Sequence, residues 1–144
     1  MSLIMLQPLQ ISAMWENIKQ SVMIAQQVPL EKQEAYGTKL LANLLSGKFQ
    51  CWVVRNPAAE IVAIGVTTIV QDNMFETINL HILSLYGLRI LTPDIADRSF
   101  KLFYDFAVRN NCEKIVMTTN VPRVIELATA QGFHDVAHMY EIVL

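Results

Sequence analysis

Two hydrophobic spacings alternate along this chain, and each predicts a different kind of element. In ISAMWENIKQSVMIAQ, residues 11–26, Ile11, Trp15, Ile18 and Val22 recur at intervals of three and four. That is the period of one helix face, with Ser12 as the expected N-cap. PLEKQEAYGTKLLANLLSG, residues 29–47, repeats the pattern through Leu40, Leu41, Leu44 and Leu45. Pro29 suits a first helical position and Gly47 an end, while Gly37 marks a bend or a close packing contact. The spacing then shortens. FQCWVVRN and EIVAIGVTTIVQ are β-branched and apolar, joined through Asn56-Pro57, and predict a hairpin. ETINLHILSLYGL, residues 76–88, places Thr77, Asn79, His81, Leu83 and Leu85 on one side of an expected strand. Ile78, Leu80, Ile82 and Ser84 fall on the other.

Helical spacing returns in PDIADRSFKLFYDFAVRNN, with Thr92 as N-cap, Pro93 at the first position and Ile95, Phe100, Phe103, Phe106 and Ala107 along one side. EKIVMTT predicts a short buried strand, VPRVIELATAQG a helix closed by Gly132, and FHDVAHMYEIVL a final strand. The order α-α-β-β-β-α-β-α-β, with a short strand expected before the first helix, gives an α/β fold with a mixed sheet and helices on both faces. No repeat or linker divides residues 1–144, so one domain is expected.

Composition narrows the function classes. Hydrophobic residues make up 53% of the 144, and 11 basic against 13 acidic residues leave a net charge of −2. With no basic stripe, a nucleic-acid role lacks support, and no polybasic or transmembrane-length segment points to a membrane. A cytoplasmic location follows by default, and the apolar fraction suggests a buried face in a homo-oligomer or larger protein assembly. Cys51 and Cys112 have no CxxC partner. His134 and His138 lack a third ligand, so no metal is expected.

The element order and NVPRVIELATAQGF, residues 120–133, resemble the GNAT superfamily of N-acetyltransferases, whose Asn-opened helix ends in Gly-Phe and runs into a strand. FKLFYDFAVRNNCEKIVMTT is similar to that family's central helix and next strand. The resemblance implies acetyl-coenzyme A in a wedge between two splayed parallel strands, here residues 76–87 and 113–119. The donor arm would lie on the first strand's edge, at Leu83 and Leu85, and the pyrophosphate at the next helix N-terminus, with Asn120 completing the cofactor set.

The family's phosphate loop carries glycines that let backbone N–H groups close on the phosphates. RILTPDIADRSF departs from it. Ser99 and Lys101 stand near the glycine positions, and Asp94 and Asp97 occupy the first turn. Arg89, Arg98 and Lys101 are left to approach a phosphate as side chains. The tyrosine that serves many members as acid is Ala128 here, with Tyr104 and Tyr140 as the nearest substitutes.

For transfer to a small-molecule or peptide amine, His81 and Glu76 are the candidate bases, and Asn79 could orient substrate or water. Three functions stay open: an acyl-coenzyme A N-acyltransferase, weak or inactive; a non-catalytic relative serving as a structural or interaction subunit; or a binder of another acyl or nucleotide ligand in the wedge.

Overall fold

The computed structural model describes residues 2–87 and 92–144. Five strands form one sheet in the order β1-β2-β3-β4-β5, from Ser2–Met5, Phe49–Arg55, Ile61–Asp72, Thr77–Gly87 and Lys114–Met117. The first four are antiparallel neighbours, and β4 and β5 run parallel. The short strand expected ahead of the first helix is β1.

The first expected helix is two. α1 spans Pro8–Ala13 and α2 Trp15–Ala25, with Met14 between them at φ −106° and ψ 11°. Ser12 therefore lies inside α1 instead of capping a helix. Pro8 takes the first position of α1, and Gln10 Oε1 accepts from the Gln7 N–H at 2.8 Å. Pro29 leads into a 3-10 turn, Leu30–Lys32, before α3 at Gln33–Leu45. Gly37 marks a close contact: a Cβ there would stand 3.4 Å from both Lys19 Cδ and Met23 Cε of α2. Gly47 and Gly132 adopt φ of +81° and +95°, the left-handed geometry that glycine adopts without strain after a helix.

α1, α2 and α3 cover one face of the sheet through Ile11, Ile18, Val22, Leu40 and Leu44, packed on Cys51, Val53, Ile64 and Val66. On the opposite face lie α4, Pro93–Arg109, and α5, Pro122–Ala130. Their Phe100, Phe103, Ala107 and Leu127 meet Trp52, Leu80 and Ile82. Trp52 anchors that side. Its ring meets Phe103 and Phe106 edge-on at 5.3 and 5.2 Å, and its Nε1–H donates to Thr67 Oγ1 at 2.9 Å.

The expected last strand does not form within the chain. Residues 133–144 have neither helix, turn nor strand pairing, and beyond Phe133 they are exposed. A strand needs a neighbour to bond to, and alternation alone does not supply one.

Candidate functional site

β4 carries the site because its two edges are treated differently. Toward β3 it is paired from end to end, Thr77↔Asp72 to Gly87↔Ala63, save at one bulge. Toward β5 the pairing runs from Asn79↔Lys114 only to Ile82↔Met117. Beyond that point β4 continues and β5 ends, so among the described residues the edge from Leu83 to Gly87 has no strand beside it. The closed end of this wedge is fastened: the Glu113 N–H donates to Ile78 O at 2.7 Å, and Lys114 Nζ lies 5.5 Å from the centre of the Phe75 ring.

The wedge opens at a β-bulge. Ser84 pairs with Val66 and Ile82 with Thr67, which leaves Leu83 as an extra residue on β4. The bulge overturns one expectation. Leu83 and Leu85 do not share a face: Leu83 packs with the α1–α3 cluster and Leu85 with the α4–α5 cluster. Gln26, just past α2, donates its side-chain amide to the Leu83 carbonyl. That partner is 57 residues away in sequence, and no local pattern announces it.

On the α4–α5 side, a cavity of about 60 Å³ lies against the unpaired stretch, bordered by Leu85, Tyr86, Gly87, Ser99, Phe103 and Leu127 among others. Gly65 keeps it open. A Cβ at that position would meet Leu85 Cδ2 at 3.2 Å and Phe103 Cζ at 3.6 Å. Tyr86 belongs to the cavity wall, a place that no local sequence pattern marks, because it depends on the bulge and on where the pairing with β5 ends.

On the other side of β4 runs a polar column of alternate residues, Thr77, Asn79 and His81. Thr77 and Asn79 are buried, and their Oγ1 and Oδ1 atoms have no hydrogen-bond partner among the described residues. Buried oxygens without donors are costly, and they mark where a donor-bearing ligand or water would be held. His81 is half-buried, and desolvation pushes its pKa below the ordinary 6.5, so the ring is neutral at physiological pH.

Glu76 is not with them. It is exposed in the turn before β4, at φ +54°, in a hairpin where Asp72 Oδ1 accepts from the Met74 and Phe75 N–H groups. Five residue steps, roughly 16 Å along an extended chain, separate it from His81. Glu76 was expected to begin the strand, and the hairpin turn claims it instead.

Of the remaining cofactor candidates, Ser99 borders the cavity. Arg98 is exposed and ion-paired with Asp94 at 3.3 Å. Lys101 and Asn120 are exposed, and Val121, not Asn120, is the N-cap of α5. Arg89 lies outside the described residues.

The start of α4 is capped as its sequence predicts. Thr92 Oγ1 accepts from the Ile95 N–H at 3.3 Å, Thr92 O from the Ala96 N–H at 3.0 Å, and Pro93 has no N–H to offer. Of the helix's first donors, the Asp94 N–H has no partner among the described residues. Asp97 accepts from the Gln131 side chain at the end of α5.

Burial pushes the Cys51 thiol up to about 12 and raises that of Cys112, so both are thiols at neutral pH. Ala128 is buried in α5, and Tyr104 and Tyr140 face outward.

A mixed sheet parted at its one parallel pair, with helices on both faces, is the architecture of acyl-coenzyme A N-acyltransferases; the chain has the GNAT fold. Solved structures bear this out along essentially the whole chain. A putative acetyl transferase from Pyrococcus furiosus superposes with a TM-score of 0.72 at 18% identity, covering 99% of this chain and 100% of that one. A predicted acetyltransferase with acetyl-CoA from Clostridium acetobutylicum gives 0.70 at 15% identity, over 99% and 95%. An aminoglycoside acetyltransferase from an uncultured soil metagenomic sample, in complex with sisomicin, gives 0.68 at 12%, over 99% and 96%. No protein-family profile matches the sequence, and no curated protein does. Among the described residues, no helix is long and apolar enough to cross a membrane.

Proposed function

We propose that the protein is an acyl-coenzyme A-dependent N-acyltransferase that transfers an acetyl group to an amine of a small molecule or peptide. The observation that carries this reading is the parting of β4 from β5 at Ile82/Met117, with an apolar cavity on one side of β4 and the Asn79–His81 column on the other.

The residues present fit one part of the donor better than another. A thioester-bearing arm finds the unpaired β4 edge at residues 83–87 and an apolar wall in Leu85 and Phe103. The pyrophosphate finds one N–H without a partner among the described residues at the start of α4, beside the carboxylate of Asp94. Its grip falls instead to side chains: Arg98 and Lys101, with Arg89 and Ser99. Weak donor binding follows.

When bound, acetyl-coenzyme A supplies an activated thioester carbonyl. The chain's own part is to place the amine and take its proton. Asn79 Oδ1, buried and without a donor, is suited to accept from the incoming ammonium. His81, one strand repeat further toward the opening, is neutral and accepts the proton that must leave before nitrogen can attack. Because the sheet is open beyond Ile82, an amine on the His81 side can reach a carbonyl held on the cavity side. The resemblance to the aminoglycoside and acetyl-CoA complexes supports the class of chemistry and leaves the acceptor to experiment.

Incubation with radiolabelled acetyl-coenzyme A and a panel of primary amines tests the reading. Label transfer that is lost in His81→Gln is expected. Transfer unaffected by that change would remove His81 as base. A second reading, a non-catalytic relative, rests on the occupied start of α4; it predicts no label transfer and no donor binding even at millimolar concentration.

A further inference from the structure

Gln26 reaches across the molecule to the point where the wedge opens. It follows the last residue of α2, is exposed, and donates its side-chain amide to the Leu83 carbonyl. Leu83 is the bulged residue and the first on β4 past the last pair with β5, Ile82↔Met117. The backbone around Gln26 is tied down by three bonds. The Gln27 N–H donates to Ile24 O at 3.2 Å, the Val28 N–H to Met23 O at 3.1 Å, and Gln33 Nε2 to Val28 O at 3.1 Å. Gln27 takes φ +50°, the left-handed region that a side chain disfavours, and those bonds keep it there.

A glutamine amide carries two N–H donors, and the Leu83 carbonyl takes one of them. The other has no partner among the described residues. The first bond holds the amide at the opening of the wedge, and the exposure of Gln26 leaves the second N–H within reach of a ligand. His81 stands on the same side. Leu80 and Ile82 pack with the α4–α5 cluster, so His81 between them faces the α1–α3 side, where Leu83 also packs. Acetyl transfer loads negative charge on to the thioester oxygen while nitrogen attacks, and a fixed donor aimed at that oxygen lowers the barrier. A neutral amide does this without repelling the ammonium form of the acceptor.

We infer that Gln26 is a catalytic residue whose second side-chain N–H donates to the thioester oxygen at the opening of the wedge, an inference that rests on the acyltransferase reading. His81 first takes one proton from the ammonium. As the carbon–nitrogen bond forms, the carbonyl π pair moves on to oxygen, where the Gln26 N–H meets it. When that pair returns, the carbon–sulfur bond breaks with its electrons on sulfur. The surplus proton on nitrogen then neutralises the thiolate, which leaves an amide and a free thiol.

The test uses the full chain. Gln26→Met keeps the length of the side chain and removes both donors. It should lower kcat for acetyl transfer to a primary amine by about 10²-fold and change KM for acetyl-coenzyme A by less than about threefold. Binding without an amine gives a second readout. The carbonyl stretch of bound acetyl-coenzyme A, isotope-labelled at that carbon, should lie at lower frequency in the natural chain than in Gln26→Met, and the Gln26 side-chain amide signals should shift as the donor is added. A natural chain that transfers label at a rate unchanged in Gln26→Met overturns the inference and spares the acyltransferase reading. A loss confined to KM or to Tm, with the carbonyl frequency unmoved, overturns it too and makes Gln26 a strut for the bulge. A natural chain that neither binds the donor nor transfers label overturns the reading and the inference together. If Gln26→Met does not fold, the natural chain still decides, since Gln26 amide signals unmoved on donor binding overturn the inference.

Discussion

His81 shows how one residue's surroundings set what it can do. Burial lowers its pKa from 6.5, so between the folded and ordinary values the unfolded chain binds the proton more readily than the folded one. Stability is therefore expected to rise with pH through a window just below 6.5, and the His81→Gln variant should lose that slope in denaturant melts taken at several pH values. In the proposed reaction the same shift moves the acid limb of kcat/KM below 6.5, and His81→Gln should reduce kcat by about 10²–10⁴. Gly65 makes a second prediction at this scale. Gly65→Ala places a methyl 3.2 Å from Leu85 Cδ2, which should destabilise the fold by about 1–3 kcal/mol and weaken donor binding by filling the cavity. Unchanged stability would mean that Leu85 moves aside freely. The identities of His81 and Asn79 were legible in the strand alternation. Their functional setting was not, because it depends on which neighbours bury them.

Among the elements, the ends were legible and the partners were not. Thr92-Pro93, Gly47 and Gly132 act through bonds within a few residues, and local chemistry of that kind is written in the sequence. The break at Met14, the hairpin turn that claims Glu76 and the bulge at Leu83 answer to packing and pairing across the sheet. No run of residues encodes them alone, and a one-residue bulge was enough to put Leu83 and Leu85 on opposite faces. The start of α4 gives the prediction proper to this scale. Thr92→Ala should cost about 1 kcal/mol by removing the bond to the Ile95 N–H, measurable in urea melts. Asp94→Asn removes a carboxylate from the helix start. It should lower stability by about 0.3–1 kcal/mol and tighten acetyl-coenzyme A binding in calorimetry, since the same charge that suits the helix repels a phosphate. Weaker binding in Asp94→Asn would show that the pyrophosphate lies elsewhere.

For the whole molecule, the sheet has at its centre a β4 stretch unpaired among the described residues, and its proposed occupant is a cofactor arm in the wedge. The sequence carried the order of elements from β2 to α5 and hence the fold class. Which strands stay paired, and for how many residues, is a property of the assembled sheet. The central claim is that the β4 edge from Leu83 to Gly87 receives an acyl-coenzyme A arm. Adding acetyl-coenzyme A while following backbone amide signals tests it most directly. The account predicts that the amides of Leu85, Tyr86 and Gly87 shift and gain exchange protection, with Tm rising by roughly 5–10 °C when the donor exceeds its Kd a hundredfold. Amide signals and Tm both unmoved at millimolar acetyl-coenzyme A would contradict it.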